Sequence, residues 1–363
     1  MDANRQILRV SFVPGAFRAF LVVAFVALGG AGPAFAQAAA ESTNAPSLGL
    51  PIRCQLGRDC WLVNLVDVDS GPGRRDYTCS KRTYDGHKGV DIAIRDLKAM
   101  KKGVAVLASA EGVVRGARDG MADIDFTRKD APEIKDRECG NGVVLIHDDG
   151  WETQYCHMRR GSVTVKTGDT VKRGQMLGLV GHSGRAQFPH VHLSVRNNKQ
   201  VVDPFLGYQA DIARGGQDGG KCGLGAAPLW DKGALATLTG EMTALYNFGF
   251  ASGAPKPRAA RAGILDTASL SRKSAALVMW VDVYWVEVGD MLTIEITGPD
   301  GKSLVKRDTI IKKTQARNFS FVGKKRKIRL WPPGAYRGRI ELVRGKGATK
   351  QMVFKAERML DVR

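Results

Sequence analysis

Short apolar alternations separated by glycine run through residues 52–207 and constrain what this chain can fold into. The clearest examples are "VAVLASAEGVVRGA" at 104–117, "NGVVLIHDD" at 141–149 and "HVHLSVR" at 190–196. A period of two places successive side chains on opposite faces of a strand, and the glycines supply tight turns. We therefore predict a mainly β domain over residues 52–207.

A second β region follows a change in composition. Residues 208–262 are dominated by Gly, Ala and Pro, which predicts a linker with room for one short helix. From 263 to 363 the period-two alternations return, with turn residues at 299–301 and 332–334, and we expect a small immunoglobulin-like β-sandwich. Within the first domain, residues 118–138 are polar and predict a surface insertion beside a cleft.

The amino-terminal segment has the features of an export signal. Three arginines precede the apolar run "AFLVVAFVAL", and the small residues of "PAFA" precede Gln37. We predict that residues 1–36 are a cleaved signal peptide, because roughly ten apolar residues are too few to span a bilayer of about 30 Å. The alternative is an uncleaved membrane anchor. We predict that residues 37–51, which follow the signal peptide, form a flexible spacer.

Export places the mature protein in the periplasm or another extracytoplasmic compartment, and no later apolar run approaches the length of a membrane span. The six cysteines are therefore disulfide candidates, and none forms the close CxxC pairs of a structural zinc site. From proximity along the chain we expect the pairs Cys54–Cys60, Cys79–Cys139 and Cys156–Cys222.

The charge balance is strongly basic. The formal net charge is +19, and loss of residues 1–36, which hold three arginines and one aspartate, leaves +17. Such a balance favours polyanionic partners. Export and the lack of interleaved aromatic residues argue against nucleic acid, so we expect an anionic wall or envelope surface. The alternative is a charged surface that serves only solubility.

All six histidines lie between residues 87 and 192, inside the first predicted domain. In "GHKGVDIAI" the glycines disfavour a helix, so a loop carrying His87 leads into a strand carrying Asp91. In "HVH" the residues His190 and His192 are two apart on a strand and face the same side. Two histidines and a carboxylate suit zinc and leave one coordination position open, as in catalytic sites. The alternatives are a surface turn with an ion pair and histidines with structural roles.

Five segments, in this order and spacing, resemble the lysostaphin-type, LytM-like zinc peptidases that cut peptidoglycan cross-links. The resemblance covers residues 79–206 and implies a lysostaphin/LytM-type antiparallel β domain. The segments are "GHKGVDIA", "GVAVLASAEGVV", "GNGVVLIHDDGWETQYCHM", "GDTVKRGQMLGLVGHSG" and "PHVHLSV".

The resemblance also implies roles for five residues. His87, Asp91 and His192 match the ligands of one zinc ion, and His157 and His190 match the two catalytic histidines that do not bind the metal. The sequence has no HExxH glutamate to serve as base, which leaves that role to the histidines.

Departures from the family pattern are few. "GHSGRAQFPHVH" stands where the family usually has G-x-T-G and S-T-G-P-H-L-H, and Cys139 stands near a common tyrosine. These differences bear on substrate preference and leave the metal set whole. We expect the remaining histidines, His147 and His182, to be structural or to support the ligands, with contact to the substrate as the alternative.

The sequence thus predicts an exported zinc metalloendopeptidase that hydrolyses peptide cross-links of peptidoglycan. An envelope with thin peptidoglycan favours a D,D-endopeptidase over a glycylglycine endopeptidase. The main alternative is a LytM-type protein that activates a cell-wall amidase without catalysing a reaction itself. A lipoyl-like carrier module is a weaker alternative, because "GDTVKRGQMLGLVG" lacks a lysine displayed at a hairpin tip. The C-terminal β domain could bind wall material, a partner protein or nothing.

Overall fold

The computed structural model describes residues 44–129, 131, 133–208, 222–265 and 267–363, which belong to one compact unit. These residues are mainly β, as the sequence predicts. Within the described ranges, no helix is both long enough and apolar enough to cross a membrane. The predicted signal peptide and the first part of the predicted spacer lie outside the described residues.

The first group of strands, here called the N-terminal lobe, forms one large antiparallel sheet and one small sheet. The strands are β1 (Cys60–Asn64), β2 (Val90–Ile94), β3 (Ala105–Leu107), β4 (Gly112–Arg118), β5 (Asn141–Ile146), β6 (Trp151–Met158), β7 (Thr170–Val171), β8 (Met176–Leu179), β9 (His190–Asn197) and β10 (Gln200–Val202). The large sheet has the order β1-β2-β9-β6-β5-β4-β7, with β10 paired to β9, while β3 pairs with β8. A short helix, α1 (Leu97–Lys102), follows β2.

The second group, here called the C-terminal lobe, contains two further sheets. Its strands are β11 (Ala244–Ala251), β12 (Ser269–Leu270), β13 (Ala276–Val286), β14 (Met291–Thr297), β15 (Ser303–Ile310), β16 (Gln315–Lys325), β17 (Gly334–Arg344) and β18 (Gln351–Val362). The sheet orders are β11-β13-β16 and β12-β18-β17-β14-β15. Both sheets contribute side chains to one apolar core, as in a sandwich, and the immunoglobulin-like assignment stays a prediction.

Strand β13 joins the two lobes. Its sequence, "ALVMWVDVYWV", is rich in the β-branched and aromatic residues that favour strands, and every residue of it is buried. Leu277 and Met279 enter the core of the C-terminal lobe, whereas Tyr284 and Trp285 enter the core of the N-terminal lobe. The aromatic end of this strand therefore belongs to the packing of both lobes.

Two segments differ from the sequence prediction. Residues 44–51, predicted as part of a flexible spacer, pack onto the N-terminal lobe, because Leu48 is fully buried and pairs with Trp230. The predicted linker 208–262 contains helices α2 (Lys232–Leu238) and α3 (Pro257–Arg261) as well as strand β11. The apolar residues of "ALYNFGFA" alternate, and the surrounding glycines and prolines obscure that pattern. Where the chain divides into domains stays a prediction.

All six cysteines are paired, and one of the three predicted disulfides is confirmed. Cys54 bonds to Cys60, whereas the other two predicted pairs are wrong, since the bonds are Cys79–Cys222 and Cys139–Cys156. The last pair links the neighbouring strands β5 and β6 near their paired residues Asn141 and Met158. Cys79 and Cys222 are 143 residues apart, so only the fold brings them together, whereas Cys139 and Cys156 are 17 residues apart and lie at paired strands.

Asp203 is a buried carboxylic acid in the turn after β10. Its Oδ1 accepts a hydrogen bond of 2.8 Å from the backbone N–H of Phe205, and its Oδ2 has no partner among the described residues. Burial raises the pKa of Asp203 to about 7. The folded protein therefore keeps Asp203 protonated at a pH where the unfolded chain has released that proton. The contribution of Asp203 to the free energy of unfolding therefore falls as the pH rises from about 4 to about 7.

We expect Asp203→Asn to remove this fall, because the amide keeps the Oδ1 acceptor and cannot ionise. The stability gain over the wild type should be small near pH 4 and reach up to about 4 kcal/mol above pH 7. Urea denaturation at a series of pH values measures it. Asp169→Asn is the control, since Asp169 accepts its hydrogen bond from Lys166 in an exposed turn. A gain that does not grow with pH would contradict the prediction.

Candidate metal centre

Strand register brings the predicted site residues together. Strands β2, β9 and β6 are neighbours in the large sheet. Asp91 lies directly opposite His192, and Ala93 lies opposite His190. Because His190 and His192 are two apart on β9, their side chains share a face. His157, near the end of β6, lies beside that pair, with its ring centroid 4.6 Å from that of His190.

The three predicted ligands converge on one point. Asp91 Oδ1 lies 2.7 Å from His192 Nδ1 and 3.2 Å from His87 Nε2. The two ring nitrogens are 3.1 Å apart. Donor atoms of a tetrahedral zinc site lie about 3.3 Å apart when the metal bonds are about 2.0–2.1 Å long. The spacing of these donors therefore fits a small divalent cation.

The outer hydrogen bonds fix the tautomers of both histidines. His87 Nδ1 donates to the carbonyl of Leu65 at 2.6 Å, and a carbonyl can only accept. The Ser194 hydroxyl donates to the Lys88 carbonyl at 2.8 Å, so at 2.9 Å it accepts from His192 Nε2. Both N–H groups therefore point outward, and His87 Nε2 and His192 Nδ1 carry lone pairs.

The donor set requires a positive charge at its centre. Two nitrogen lone pairs and a carboxylate oxygen face each other at short range, and the protons of the two rings are committed elsewhere. Buried groups of this kind repel one another unless a positive charge lies between them, supplied by an added proton on an imidazole or by a metal ion. His87, Asp91 and His192 thus form a set that could hold a metal ion, with one donor atom each.

Asp91 is held as a carboxylate. Its second oxygen, Oδ2, accepts a hydrogen bond of 2.8 Å from Asn64 Nδ2. Burial alone would raise the pKa of Asp91, but the positive charge of the neighbouring imidazoles in their protonated form, that of His87 first, holds it well below its usual value. A buried, ionised carboxylate with one oxygen free for a cation is suited to metal binding.

His157 and His190 lie beside the ligand set with their own tautomers fixed. His157 Nδ1 donates to the Ser183 carbonyl and His190 Nδ1 to the Phe188 carbonyl, each at 2.8 Å. Each ring therefore carries its lone pair on Nε2. His190 Nε2 is 3.7 Å from Asp91 Oδ1. Burial, and then the neighbouring histidines, lower the pKa of His157 well below its usual range, so the ring is neutral at physiological pH.

The backbone at His157 is unusual. His157 has a φ of 62°, in the left-handed region that residues with side chains rarely adopt. Its N–H donates to the Cys139 carbonyl at 2.8 Å, and its carbonyl accepts from Gly181 at 3.0 Å. The adjacent Cys156 is bonded to Cys139. These bonds hold a strained conformation that turns the imidazole toward the other histidines.

Gly89, in "HKGVD", leaves space for the imidazole of His192, one of the predicted metal ligands. A Cβ at this position would lie 2.6 Å from His192 Nε2 and 2.5 Å from the Leu193 carbonyl oxygen. Both distances are too short for any side chain. The glycine therefore lets the loop that carries His87 pass close against β9.

The two other histidines lie outside the ligand set. His147 contacts the Glu111 carbonyl through Nδ1 at 2.5 Å and the Thr153 hydroxyl through Nε2 at 2.9 Å. His182 is buried, and its backbone N–H donates to Asp123 at 2.7 Å. These contacts are compatible with the structural roles predicted for both.

Sequence reasoning missed the residues that support the ligands. Ser194 follows the period of two set by His190 and His192, so this signal was available. Asn64 and Leu65 lie more than twenty residues before Asp91, and nothing in their local sequence connects them to it. A second group that could resemble a metal site, Cys54, Asp59 and Cys60, contains a disulfide and offers no thiolates.

Comparison with known proteins places the centre in a family. The model of peptidase family M23 matches residues 85–204. DD-carboxypeptidase/endopeptidase Mpg of Neisseria meningitidis is 32% identical over 34% of this chain and 23% of its own length. Peptidoglycan DD-endopeptidase ShyA of Vibrio cholerae is 33% identical over 33% of this chain and 22% of its own length. The match thus spans about a quarter of each of these relatives.

Two further similarities were found. The cell division protein DipM of Caulobacter vibrioides is 33% identical over 29% of this chain and 15% of its own length. The solved catalytic domain of lysostaphin from Staphylococcus simulans is 27% identical over 33% of this chain and 76% of that chain, with a TM-score of 0.23. All five predicted site residues lie inside the segment that the family model matches. Through residues 85–204, the chain therefore carries a domain of peptidase family M23.

Proposed function

We propose that this protein is an exported zinc metalloendopeptidase that hydrolyses peptide cross-links of peptidoglycan, most specifically a D,D-endopeptidase. One observation carries the proposal. His87, Asp91 and His192 direct three metal-binding atoms at one point, and two further imidazoles with free Nε2 lone pairs lie beside them. A purely structural zinc site would have four protein ligands and no need for the extra pair.

His87, Asp91 and His192 would hold the zinc ion through Nε2, Oδ1 and Nδ1. When bound, zinc polarises the scissile carbonyl and lowers the pKa of a water molecule toward about 7. The Leu65 carbonyl and the Ser194 hydroxyl keep both imidazoles in the metal-binding tautomer. Such outer hydrogen bonds also make the ligands more basic.

His157 and His190 supply the proton transfers. The water oxygen attacks the amide carbon, and its proton passes to the lone pair of a neutral imidazole at Nε2. The C–N bond then breaks, and the same proton is delivered to the leaving amine nitrogen. The imidazole is left neutral, as it began. Hydrogen bonds from Nδ1 to the Ser183 and Phe188 carbonyls stabilise the imidazolium that forms in between.

The substrate class follows from the relatives and the charge. Two relatives carry names that state DD-endopeptidase activity, one of them with peptidoglycan as its substrate. The mature charge of +17 favours a polyanionic wall surface. The predicted signal peptide would deliver the enzyme to that surface.

A second candidate is a protein that activates a cell-wall amidase without catalysis. The similarity to a protein named for cell division, rather than for hydrolysis, keeps this candidate open. The intact set of His87, Asp91, His157, His190 and His192 favours the enzyme, because an activator has no use for two further imidazoles beside a metal site.

We expect His87→Ala and His192→Ala to lose zinc and to lose activity on purified sacculi. Each removes one of three ligands, which should weaken zinc binding by far more than tenfold. Metal analysis and muropeptide chromatography measure the two effects, and a chelator should stop the wild-type conversion of cross-linked dimers to monomers. The matched control is His147→Gln, which changes a histidine outside the cluster. Full activity in either ligand variant would show that the assignment is wrong.

We expect His157→Ala and His190→Ala to keep zinc and lose rate. Neither side chain is a proposed ligand, and general acid or base catalysis contributes about 10²–10⁴-fold. Zinc content should therefore stay near one per chain while the turnover of cross-linked dimers falls by that factor. If both variants instead retain the ability of the wild type to act on sacculi, the protein does not use these imidazoles for proton transfer.

A further inference from the structure

A β-bulge at Val63 sets the outer support of the metal centre. In the pairing of β1 with β2, Leu62 lies opposite Ile92 and Asn64 lies opposite Asp91. Val63 is thus an extra residue on β1. Without the bulge, Val63 would lie opposite Asp91, and valine has no polar side chain. Bulges of this kind re-aim side chains next to active sites.

The bulged segment, residues 63–65, touches two of the three proposed ligands. Asn64 Nδ2 donates to Asp91 Oδ2 at 2.8 Å, and the Leu65 carbonyl accepts from His87 Nδ1 at 2.6 Å. The position of this short segment therefore decides the orientation of one carboxylate and one imidazole. A shift of the bulge would release both ligands at once.

The C-terminal lobe holds this segment through Trp285. The indole Nε1–H of Trp285 donates to the Val63 carbonyl at 2.5 Å, so the bulged residue gains a partner from the other lobe. Trp285 is only 2% exposed and packs within the core of the N-terminal lobe. Its carbonyl accepts from the Thr243 hydroxyl at 2.6 Å.

The backbone of Trp285 is strained where it makes this contact. Its φ is 50°, which for a bulky residue is a true outlier. Such conformations persist only where the surrounding contacts determine them strongly. The strained residue, Trp285, is thus the one whose side chain donates to the carbonyl of the bulged residue Val63.

A second contact holds the same segment from its other side. The backbone N–H of Leu65 donates to the Arg82 carbonyl at 3.0 Å, and the Arg82 side chain forms an ion pair of 2.8 Å with Glu287. Glu287 lies two residues after Trp285. The turn at the end of β13 therefore contacts the bulge directly through Trp285 and indirectly through Arg82.

We propose that Trp285 is a positioning residue for the metal centre, and that the C-terminal lobe serves to hold the bulge of residues 63–65 in the register that the ligands need. This inference rests on the proposed function, because it assumes that His87 and Asp91 bind zinc. It gives the C-terminal lobe a role in metal affinity and turnover that does not involve contact with the substrate.

The test compares two tryptophan substitutions in the same strand of the full-length protein. Trp285→Phe removes the N–H donor and keeps an aromatic ring. Trp280→Phe makes the same chemical change at another buried tryptophan, whose Nε1 has no hydrogen-bond partner within the described part of the chain. Both variants lose a similar volume and only Trp285→Phe also loses a hydrogen bond, so a difference between them at the metal centre reports that hydrogen bond.

We expect Trp285→Phe to bind zinc about tenfold more weakly, as measured by competition with a chelator, and to show a fall in kcat with KM unchanged. The absorption spectrum of the Co²⁺-substituted protein should shift as the ligand geometry relaxes. Trp280→Phe should match the wild type in zinc affinity, kcat and spectrum. If Trp285→Phe and Trp280→Phe bind zinc equally well, the inference is overturned while the proposed function stands.

Two further variants sharpen the result. Glu287→Gln weakens the second contact without removing buried volume, so a smaller loss of zinc affinity is expected even if Trp285→Phe folds poorly. Asn64→Ala should lower the affinity too, and its effect combined with Trp285→Phe should be less than additive, because both act through one segment. Wild-type affinity in Glu287→Gln, or full additivity in the double variant, would overturn the inference. A wild-type protein that takes up no zinc would overturn the proposed function as well.

Discussion

The buried carboxylate of Asp91 is the interaction on which the centre depends. Its two oxygens have different partners, since Oδ1 faces His87 and His192 and Oδ2 accepts from Asn64. Moving a charge of this kind out of water is costly unless it is paired. The surrounding imidazoles direct their N–H groups to carbonyls and a hydroxyl outside the cluster, which leaves only lone pairs toward the carboxylate. The arrangement therefore needs a positive charge at its centre, which an added proton on an imidazole or a metal ion can supply.

The sheet provides the rigidity that such a centre needs. Asp91, His190 and His192 lie on paired strands, where backbone hydrogen bonds fix their mutual positions better than loops would. His87 comes from a loop and His157 from the irregular end of β6, and each is held by separate contacts. His87 is held by Leu65, and His157 by its strained backbone next to a disulfide. Paired strands thus fix three of the five site residues, and local contacts at a loop and at a strand end fix the other two.

The sequence predicts the common face of His190 and His192, because a period of two is a local property. It also predicts the mainly β fold and, through the family resemblance, the five site residues whose side chains the structure brings together. Contacts between distant segments are not local, so the pairing of Cys79 with Cys222, 143 residues apart, could not be read from the sequence. A β-bulge adds one residue that interrupts the period of two of a strand. The sequence pattern therefore did not predict the hydrogen bond from Asn64 to Asp91.

The matched family segment does not contain everything that the centre uses. Residues 85–204 include all five site residues, but the partners of Asp91 Oδ2 and His87 Nδ1 come from residues 63–65, before that segment. Trp285, which holds the bulge, lies well after it. An isolated matched segment would expose a carboxylate oxygen and an imidazole N–H without these partners. Residues 63–65 and the C-terminal lobe therefore support the metal centre, although neither supplies a ligand.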